Sequence, residues 1–224
     1  MTLQQRCTMF IDIEAEKKKY CRYVRVDNDI YSSELFRLNN FDRSNRLAKR
    51  TRDIFGSFAR VLRGRRAIPE NQRESEIINL VRSVRDDILR PLLDRIDFKT
   101  TTDFDTWHRE KLLTLKTKCH ISWPPNNEEM TLGMCQKIIN LHCKDLWALN
   151  IVPKEYSQLF HPILDNITLS GILRINSAWT NINNHIEYME FQNLLRGDAS
   201  RKGYYPLAIE CKNWNDESDR RQRR

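Results

Sequence analysis

Apolar residues along most of this chain recur with the period of an α-helix. Between residues 43 and 63 they form a single stripe when projected at about 100° per residue: Leu47, Ile54, Phe55, Phe58, Val61 and Leu62. Ser44 can cap the start of such a helix, and Gly64 is typical of its end. The pattern therefore predicts an amphipathic helix over residues 43–63.

The same periodicity predicts further helices in the rest of the chain. They cover about 74–90, 107–119, 128–149 and 180–196, with a last element from Pro206 to near Trp214. Pro91 either kinks the helix before it or starts a short one. Residues 99–103 and 197–205 are polar and are expected to be loops, and Thr180 is expected to cap the helix that follows it.

The first 40 residues carry a weaker signal. Phe10, Ile13, Tyr20 and Val24 fit a helix, whereas residues 21–26 alternate like a strand, so a small hairpin is the alternative. With six glycines and seven prolines, the chain lacks the frequent turns of an all-β fold. We expect a mainly α protein, a single helical-bundle-like domain, with at most a minor β-hairpin near the N-terminus.

The clearest linker lies at residues 122–127, which contain two consecutive prolines and two asparagines. It separates an N-terminal helical part, residues 1–121, from a C-terminal helical part, residues 126–214, that is expected to pack on it. Residues 215–224 are rich in charge and are expected to form a disordered tail.

Hydropathy and cysteine usage bear on the compartment. No stretch reaches 18 consecutive apolar residues, and the first six residues lack the apolar core of a signal peptide. We therefore expect no membrane association and a cytoplasmic location. The six cysteines are then expected to be buried, reduced thiols.

Positive charge is concentrated in one segment. The chain carries 38 Lys and Arg residues against 30 Asp and Glu residues, a formal net charge of +8. Residues 43–66 hold nine of the basic residues and one acidic residue, Asp53, so the rest of the chain is neutral overall. On a helical projection the side opposite the apolar stripe carries Lys49, Arg52, Arg60 and Arg63. One side of this helix is thus predicted to be buried and the other to present cations.

A cationic stripe of this kind can neutralise phosphates of DNA or RNA, with an affinity that falls as salt rises. An acidic protein partner and an ordinary solvated face are the alternatives. Lys137, Asn140 and Lys144 share one face of the predicted helix 128–149 and could add contacts to a phosphate or a base edge. The polar side of an amphipathic helix would look the same.

A second hypothesis is a Mg²⁺-dependent nuclease. On a strand, Glu210 and Lys212 would lie on the same side, as in the metal site of restriction-type enzymes, which they resemble. Asp198, or more remotely Asp165, would supply the upstream carboxylate. Against this, Pro206 at a first helical position makes a short helix an equally good interpretation of the same residues.

Other metals and cofactors are not expected. The pairs 119–120 and 142–143 each join a cysteine and a histidine, but adjacent residues on a helix point about 100° apart and cannot easily bind one zinc ion. No cysteine carries the signature of a catalytic thiol, and no Gly-rich phosphate loop is found. Mg²⁺ is expected only under the nuclease hypothesis.

Three stretches in the second half of the chain form a distinctive series. Residues 104–108 read Phe-Asp-Thr-Trp-His, and residues 131–140 read Thr-Leu-Gly-Met-Cys-Gln-Lys-Ile-Ile-Asn, with Lys144 after them. Residues 178–182 read Ala-Trp-Thr-Asn-Ile, followed by Tyr188, Phe191, Gln192, Pro206, Leu207, Glu210 and Trp214. In this order they resemble a family of small, uncharacterised bacterial helical proteins over about residues 104–214.

The resemblance implies a helical fold and a bacterial origin, and no known activity. In that family pattern the final Pro-Leu, Glu and Trp resemble a packing element without the lysine, which weighs against a nuclease. The first hypothesis is therefore a non-enzymatic protein that binds the nucleic-acid backbone, with a nuclease and a protein-interaction module as alternatives. Its candidate binding residues are Lys49, Arg52, Arg60, Arg63, Lys137, Asn140 and Lys144.

Overall fold

A computed structural model describes residues 11–31, 46–61, 70–94, 97–118 and 130–223. Its longer helices are α1 (Ile13–Val24), α2 (Arg46–Val61), α3 (Glu70–Ser83), α4 (Thr101–Lys118), α5 (Leu132–Ala148), α6 (His185–Lys202) and α7 (Pro206–Gln222). Shorter helical turns lie at Asn28–Tyr31, Lys154–Gln158, Asn166–Thr168 and Trp179–Asn181. These ranges contain no strand, which confirms the mainly α fold.

Helix α1 occupies the region for which a hairpin was the alternative prediction. The carboxylate of Asp12 caps this helix and accepts a hydrogen bond from the backbone N–H of Ala15 at 3.1 Å. Arg25 ends the helix in the left-handed conformation, with φ 56°. Residues 21–26 are therefore the last helical turn and the bend after it, so the hairpin prediction is wrong.

Helix α5 lies at the centre of the molecule. All its residues are buried except Lys137 and Leu141, which are half-buried. Helices α1, α2, α4 and α6 all contact it. The prediction of an exposed polar face on this helix is wrong, because its surroundings cover every residue except these two. Its polar residues must therefore find partners inside the protein.

The core joins the two halves of the chain. One cluster of buried apolar side chains includes Tyr20 and Leu47 from the first half and Ile139 and Leu207 from the second. Helix α1 packs on α7 and α2 packs on α5. The linker predicted at residues 122–127 lies outside the described residues, so the division into two parts stays a prediction.

Capping residues explain why α4 and α6 begin and end at positions different from those predicted. Helix α4 starts at Thr101, before the predicted residue 107. The Asp103 carboxylate accepts the backbone N–H of Thr100 at 2.8 Å, and the Thr100 hydroxyl accepts the backbone N–H of Asp103 at 3.2 Å. Helix α6 starts at His185, capped by Asn184, while Thr180 lies in a short turn instead. It continues to Lys202 and ends at Gly203 with φ 74°, so most of the polar stretch 197–205 is helical.

Pro91 is accommodated without ending the helical path. After α3, residues Val84–Leu89 form a wider π-helical segment, and Arg90–Leu93 continue as α-helix with Pro91 in the first turn. Proline lacks a backbone N–H and its ring crowds the carbonyl four residues earlier. A π segment changes the hydrogen-bonding register just before the proline, which removes that conflict.

Helix α7 begins at Pro206, as one of the two interpretations predicted, and extends to Gln222. The charged residues after Trp214 are therefore helical, which corrects their interpretation as a disordered tail. Asp219 explains part of this order, since its carboxylate accepts hydrogen bonds from Lys19 and Tyr23 of α1. Pairs four residues apart, Lys212 with Asp216 and Glu217 with Arg221, support the same turns.

The described residues also bear on two further expectations, the absence of membrane association and the burial of the cysteines. Their helices include none that is long and apolar enough to cross a membrane. Cys135, Cys143 and Cys211 are buried and Cys21 is half-buried, and all four are free thiols. Burial raises the pKa of Cys21 to about 11 and that of Cys211 to about 12, so neither thiol is reactive at neutral pH.

Gly133 generates a stability prediction. A Cβ placed on this residue would lie 1.9 Å from the backbone oxygen of Trp179, and its N–H donates to the carbonyl of Ile182 at 2.8 Å. We expect Gly133→Ala to lower the free energy of unfolding by about 3 kcal/mol, because backbone cannot yield as a side chain can. Urea denaturation would measure the change.

Gly197 provides the matched control. It lies inside α6, and the nearest atom to an added Cβ is a flexible Arg201 nitrogen at 3.7 Å. Gly197→Ala should therefore leave stability unchanged or raise it by about 0.5–1 kcal/mol, since alanine favours the helix. Equal effects of the two substitutions would contradict the close contact at Gly133.

Candidate functional site

The basic side chains at the start of α2 point in two directions, some towards solvent and some towards the protein interior. Lys49 is exposed and Arg52 is half-buried, whereas Arg50 turns inward. Arg46 is paired with Asp27 and Asp29. The side chain of Arg60 and the whole of Arg63 lie outside the described residues, so their place on the cationic stripe stays a prediction. The surface charge of α2 is thus smaller than the sequence alone suggests.

Arg50 attaches α2 to the centre of the protein. Its Nε lies 2.7 Å from Oδ2 of Asp145 and its Nη2 lies 2.9 Å from Oδ1, a two-point ion pair. Tyr20 and Tyr31 also donate to this carboxylate, at 2.6 and 2.7 Å. Burial opposes ionisation of Asp145, but the charge and hydrogen bonds of Arg50 outweigh it and lower the pKa of this carboxyl group.

Two of the predicted binding residues of α5 are buried inside the protein. The Asn140 amide nitrogen donates to the carbonyl of Pro162 at 3.0 Å, and its oxygen lies 2.7 Å from Nε2 of His108. Lys144 is completely buried against Glu210. Neither side chain can reach a ligand on the surface, which corrects their assignment to a binding face. Lys137 alone of the three reaches solvent.

Lys144 and Glu210 form an ion pair with no exposure to solvent. The Lys144 Nζ lies 2.8 Å from Oε2 of Glu210, and 4.3 Å and 5.4 Å from the ring centres of Tyr20 and Trp214. Burial opposes the charge on Lys144, but the Glu210 carboxylate outweighs it and raises the pKa of the lysine. The pair joins α5 to α7.

The described residues do not bring Glu210, Lys212 and Asp198 together as the nuclease hypothesis requires. Glu210 lies on helix α7, where Lys212 points away from it and bonds to Asp216 at 2.6 Å. Asp198 lies on α6 and pairs with Lys202 at 2.6 Å. In the described part of the chain, no group of three or more His, Cys, Asp or Glu residues could hold a metal ion.

The histidine and cysteine of the pair 142–143 have structural roles. His142 lies between the hydroxyl of Tyr31, 2.9 Å from its Nδ1, and that of Thr51, 3.2 Å from its Nε2. Burial raises the pKa of the Cys143 thiol above its ordinary range. The other pair, residues 119–120, lies outside the described residues.

Two neighbouring surface pockets are each lined in part by residues of α2, and together we call them the α2 groove. Its first part has a volume of about 390 Å³ and is lined by Arg25, Ile30, Arg46 and Lys49. Its second part, which we call the Trp214 cleft, has a volume of about 550 Å³ and lies between α2, α5 and α7. Val24, Arg50 and Asp53 line both parts, so the two are adjacent.

The Trp214 cleft combines aromatic, basic and acidic side chains. Its lining includes Lys137, Asp165, Asn166, Trp179, Trp214 and Arg221. The Lys137 Nζ lies 3.6 Å from Oδ2 of Asp165 and 4.7 Å from the ring centre of Trp179. This mixture can contact a charged ligand that also has a flat, polarisable part.

A second cleft, of about 800 Å³, is lined by residues of α1 and of the segment after α5. Its buried cation, Lys17, is occupied by partners inside the protein. The Nζ atom bonds to Glu14 at 3.0 Å and to Asn150 at 2.7 Å, and lies over the ring of Trp147. The cleft therefore offers less unpaired charge than the α2 groove.

The chain matches no protein-family model, no curated protein and no solved structure. The residues that carry the family resemblance are mostly buried: Gly133, Gln136, Asn140, Lys144, Trp179, Tyr188, Gln192, Leu207 and Glu210. In this chain they hold helices together.

Sequence reasoning missed the residues that shape the groove. Arg25 depends on where α1 ends, and Arg221 lies in a segment interpreted as disordered. Trp214 was recognised as a core residue only. Basic residues outside the segment 43–66 could not be assigned to a binding surface from the sequence, because the groove forms only when α1, α2 and α7 pack together.

A chain of buried polar groups was also missed. Asn140 and Gln192 donate to the hydroxyl of Tyr188, which lies 2.7 Å from Nδ1 of His161. The other ring nitrogen of His161 lies 2.7 Å from Asp105, which also binds Arg196. The signal in the sequence was a series of polar residues at intervals of four on an apolar helix: Gln136, Asn140 and Lys144.

Acid should unfold the protein through its buried histidines. Burial lowers the pKa of His142 and of His161 to about 4, from an ordinary value of 6.5. The unfolded chain therefore binds more protons below pH 6.5, and stability should fall between about pH 6.5 and pH 4. Each histidine contributes about 3 kcal/mol of this loss. Urea denaturation at several pH values would measure it, and a stability that stays constant from pH 7 to pH 5 would contradict it.

The buried ion pair gives a second stability prediction. We expect Lys144→Met to destabilise the protein by about 3–5 kcal/mol, because the Glu210 carboxylate would be left unpaired in the core. The double variant Lys144→Met, Glu210→Leu should recover most of this loss. Lys212→Met, which removes only a partly exposed pair with Asp216, should cost about 1 kcal/mol or less. Thermal unfolding of the unmodified protein, Lys144→Met, Glu210→Leu, the double variant and Lys212→Met compares them, and additive effects of the substitutions at 144 and 210 would exclude the coupling.

Proposed function

We propose that this protein binds nucleic acid through its phosphate backbone, along the α2 groove. The observation that carries this proposal is the position of two exposed cations, Arg25 and Lys49, at the first part of the groove. Within the described ranges neither makes an ion pair. Both are therefore available to neutralise phosphates, which supports a polyanionic ligand.

The charge balance along the groove supports the same ligand. Six basic residues line its two parts: Arg25, Arg46, Lys49, Arg50, Lys137 and Arg221. Two acidic residues, Asp53 and Asp165, lie among them. Arg46, Arg50 and Arg221 are already paired with carboxylates, so the field of the groove depends most on Arg25 and Lys49.

The proposed interface keeps part of the sequence-based set and changes the rest. Lys49 and Lys137 line the groove and remain, whereas Arg52, which lines neither part, stays a predicted member together with Arg60 and Arg63. Arg25 and Arg221 take the place of Asn140 and Lys144. Phosphate contacts of this kind determine affinity and orientation and carry no sequence information of their own.

Charge reversal tests the proposal. In the triple variant Arg25→Glu, Lys49→Glu, Arg52→Glu, we expect the affinity for a labelled oligonucleotide at about 50 mM salt to fall by at least about a hundredfold. The slope of log affinity against log salt should become smaller by about one for each phosphate contact removed. Fluorescence anisotropy across a salt series would measure both quantities.

A matched control reverses three cations on elements outside the groove: Lys99→Glu, Arg201→Glu, Lys202→Glu. It changes the net charge by the same amount and should retain most of the affinity and the salt slope. Equal losses in the two triple variants would mean that only net charge matters and would contradict the proposed surface. Binding of acidic polypeptide in preference to any oligonucleotide would favour a protein-interaction module instead.

A further inference from the structure

We propose that the Trp214 cleft receives an unpaired base, so that the protein binds single-stranded nucleic acid in preference to duplex. This inference rests on the proposed function, because it adds a base to the phosphate contacts along α2. It concerns the cleft residues on α5, α7 and the segment 163–167, of which Lys137 and Arg221 also belong to the proposed phosphate surface.

The first argument is that the cleft adjoins the cationic surface and shares lining residues with it. Arg50 and Asp53 lie on α2 and line the cleft as well as the first part of the groove. A strand whose phosphates follow α2 would therefore bring its bases to the mouth of the cleft. A volume of about 550 Å³ is within the range of small-molecule sites and can hold a base with its sugar. A duplex keeps its bases stacked and paired, so it cannot use the cleft.

The second argument is the aromatic wall. Trp214 is half-buried, and its ring is held in edge-on contacts with Tyr20 and Tyr23, at centroid distances of 5.5 and 6.1 Å. The ring is thus fixed before any ligand arrives. Stacking on an aromatic ring is the common way in which proteins bind unpaired bases, because every base has a π face.

The third argument is the set of polar side chains that line the same cleft. Asp165 uses Oδ1 to cap the turn that follows it, at 3.0 Å from the N–H of Thr168. Its Oδ2 lies beside Lys137, and the side chain of Asn166 next to it is exposed. Carboxylate, amide and ammonium groups together supply the acceptors and donors that a base edge requires.

Arg221 completes the site on the α7 side. Its side chain is exposed and paired through Nε with Glu217 at 3.0 Å, one turn earlier. A guanidinium held in this way presents its remaining N–H groups to the mouth of the cleft. It can bind the phosphate that follows the inserted base.

A substitution that fills the cleft tests the inference without disturbing the core. Asn166 is exposed, so Asn166→Trp should fold normally while its indole occupies the cleft mouth. Asn193→Trp, at an exposed asparagine on α6 outside the groove, is the matched control. Circular dichroism and thermal unfolding of both variants would verify the fold.

Binding is measured with single-stranded DNA, single-stranded RNA and duplex DNA of equal length. For the unmodified protein we expect at least about a tenfold preference for one or both single strands over duplex. Asn166→Trp should abolish that preference and leave duplex affinity unchanged, while Asn193→Trp should retain it. Binding of both single strands, or of one alone, supports the inference, and the comparison shows whether the 2′-hydroxyl contributes.

Fluorescence gives an independent measurement. A base stacked on Trp214 should quench part of the tryptophan emission, and Trp214→Phe, which keeps an aromatic ring in place, should remove that part. Equal affinity for single strands and duplex, or a preference that survives Asn166→Trp, would overturn the base site and leave the phosphate surface intact. No binding to any oligonucleotide would overturn both proposals.

Discussion

The need to pair every polar group inside α5 determines much of this structure. Gln136, Asn140 and Lys144 occupy successive turns of one side of a helix in which every residue except Lys137 and Leu141 is buried. Burying an amide without partners costs a few kcal/mol, and burying an unpaired ammonium costs more. Each of the three side chains therefore requires a specific neighbour.

Each neighbour is a different part of the chain. Gln136 donates to the carbonyl of Leu164 at 2.7 Å and accepts from its N–H at 3.2 Å. Its side-chain amide therefore pairs with both backbone polar groups of Leu164. Asn140 binds the carbonyl of Pro162, which Gln192 of α6 also binds. With Lys144 held by Glu210 of α7, a single side of one helix positions the segment before residue 165 and the last two helices.

This arrangement explains which predictions succeeded. Apolar periodicity identified α2 and α5 and the mainly α fold, because burial of an apolar stripe follows directly from spacing. It failed for the polar residues of α5, because spacing alone cannot distinguish a solvated lysine from one paired inside the core. The Glu210 partner of Lys144 is 66 residues away in the chain. Such a pairing depends on the packing of α5 against α7, which no local pattern contains.

The Arg50–Asp145 pair has a consequence for the energetics of recognition. Because it lies in the interior, it fixes the position and tilt of the first turns of α2 before any ligand is present. Loss of conformational freedom is a large part of the cost of binding, and a preorganised wall avoids that part. The exposed groups along the groove include the long side chains of Arg25, Lys49 and Arg221. A ligand that binds in the α2 groove would therefore contact a wall that has already lost its conformational entropy on folding. The entropic cost of binding would be smaller for that reason.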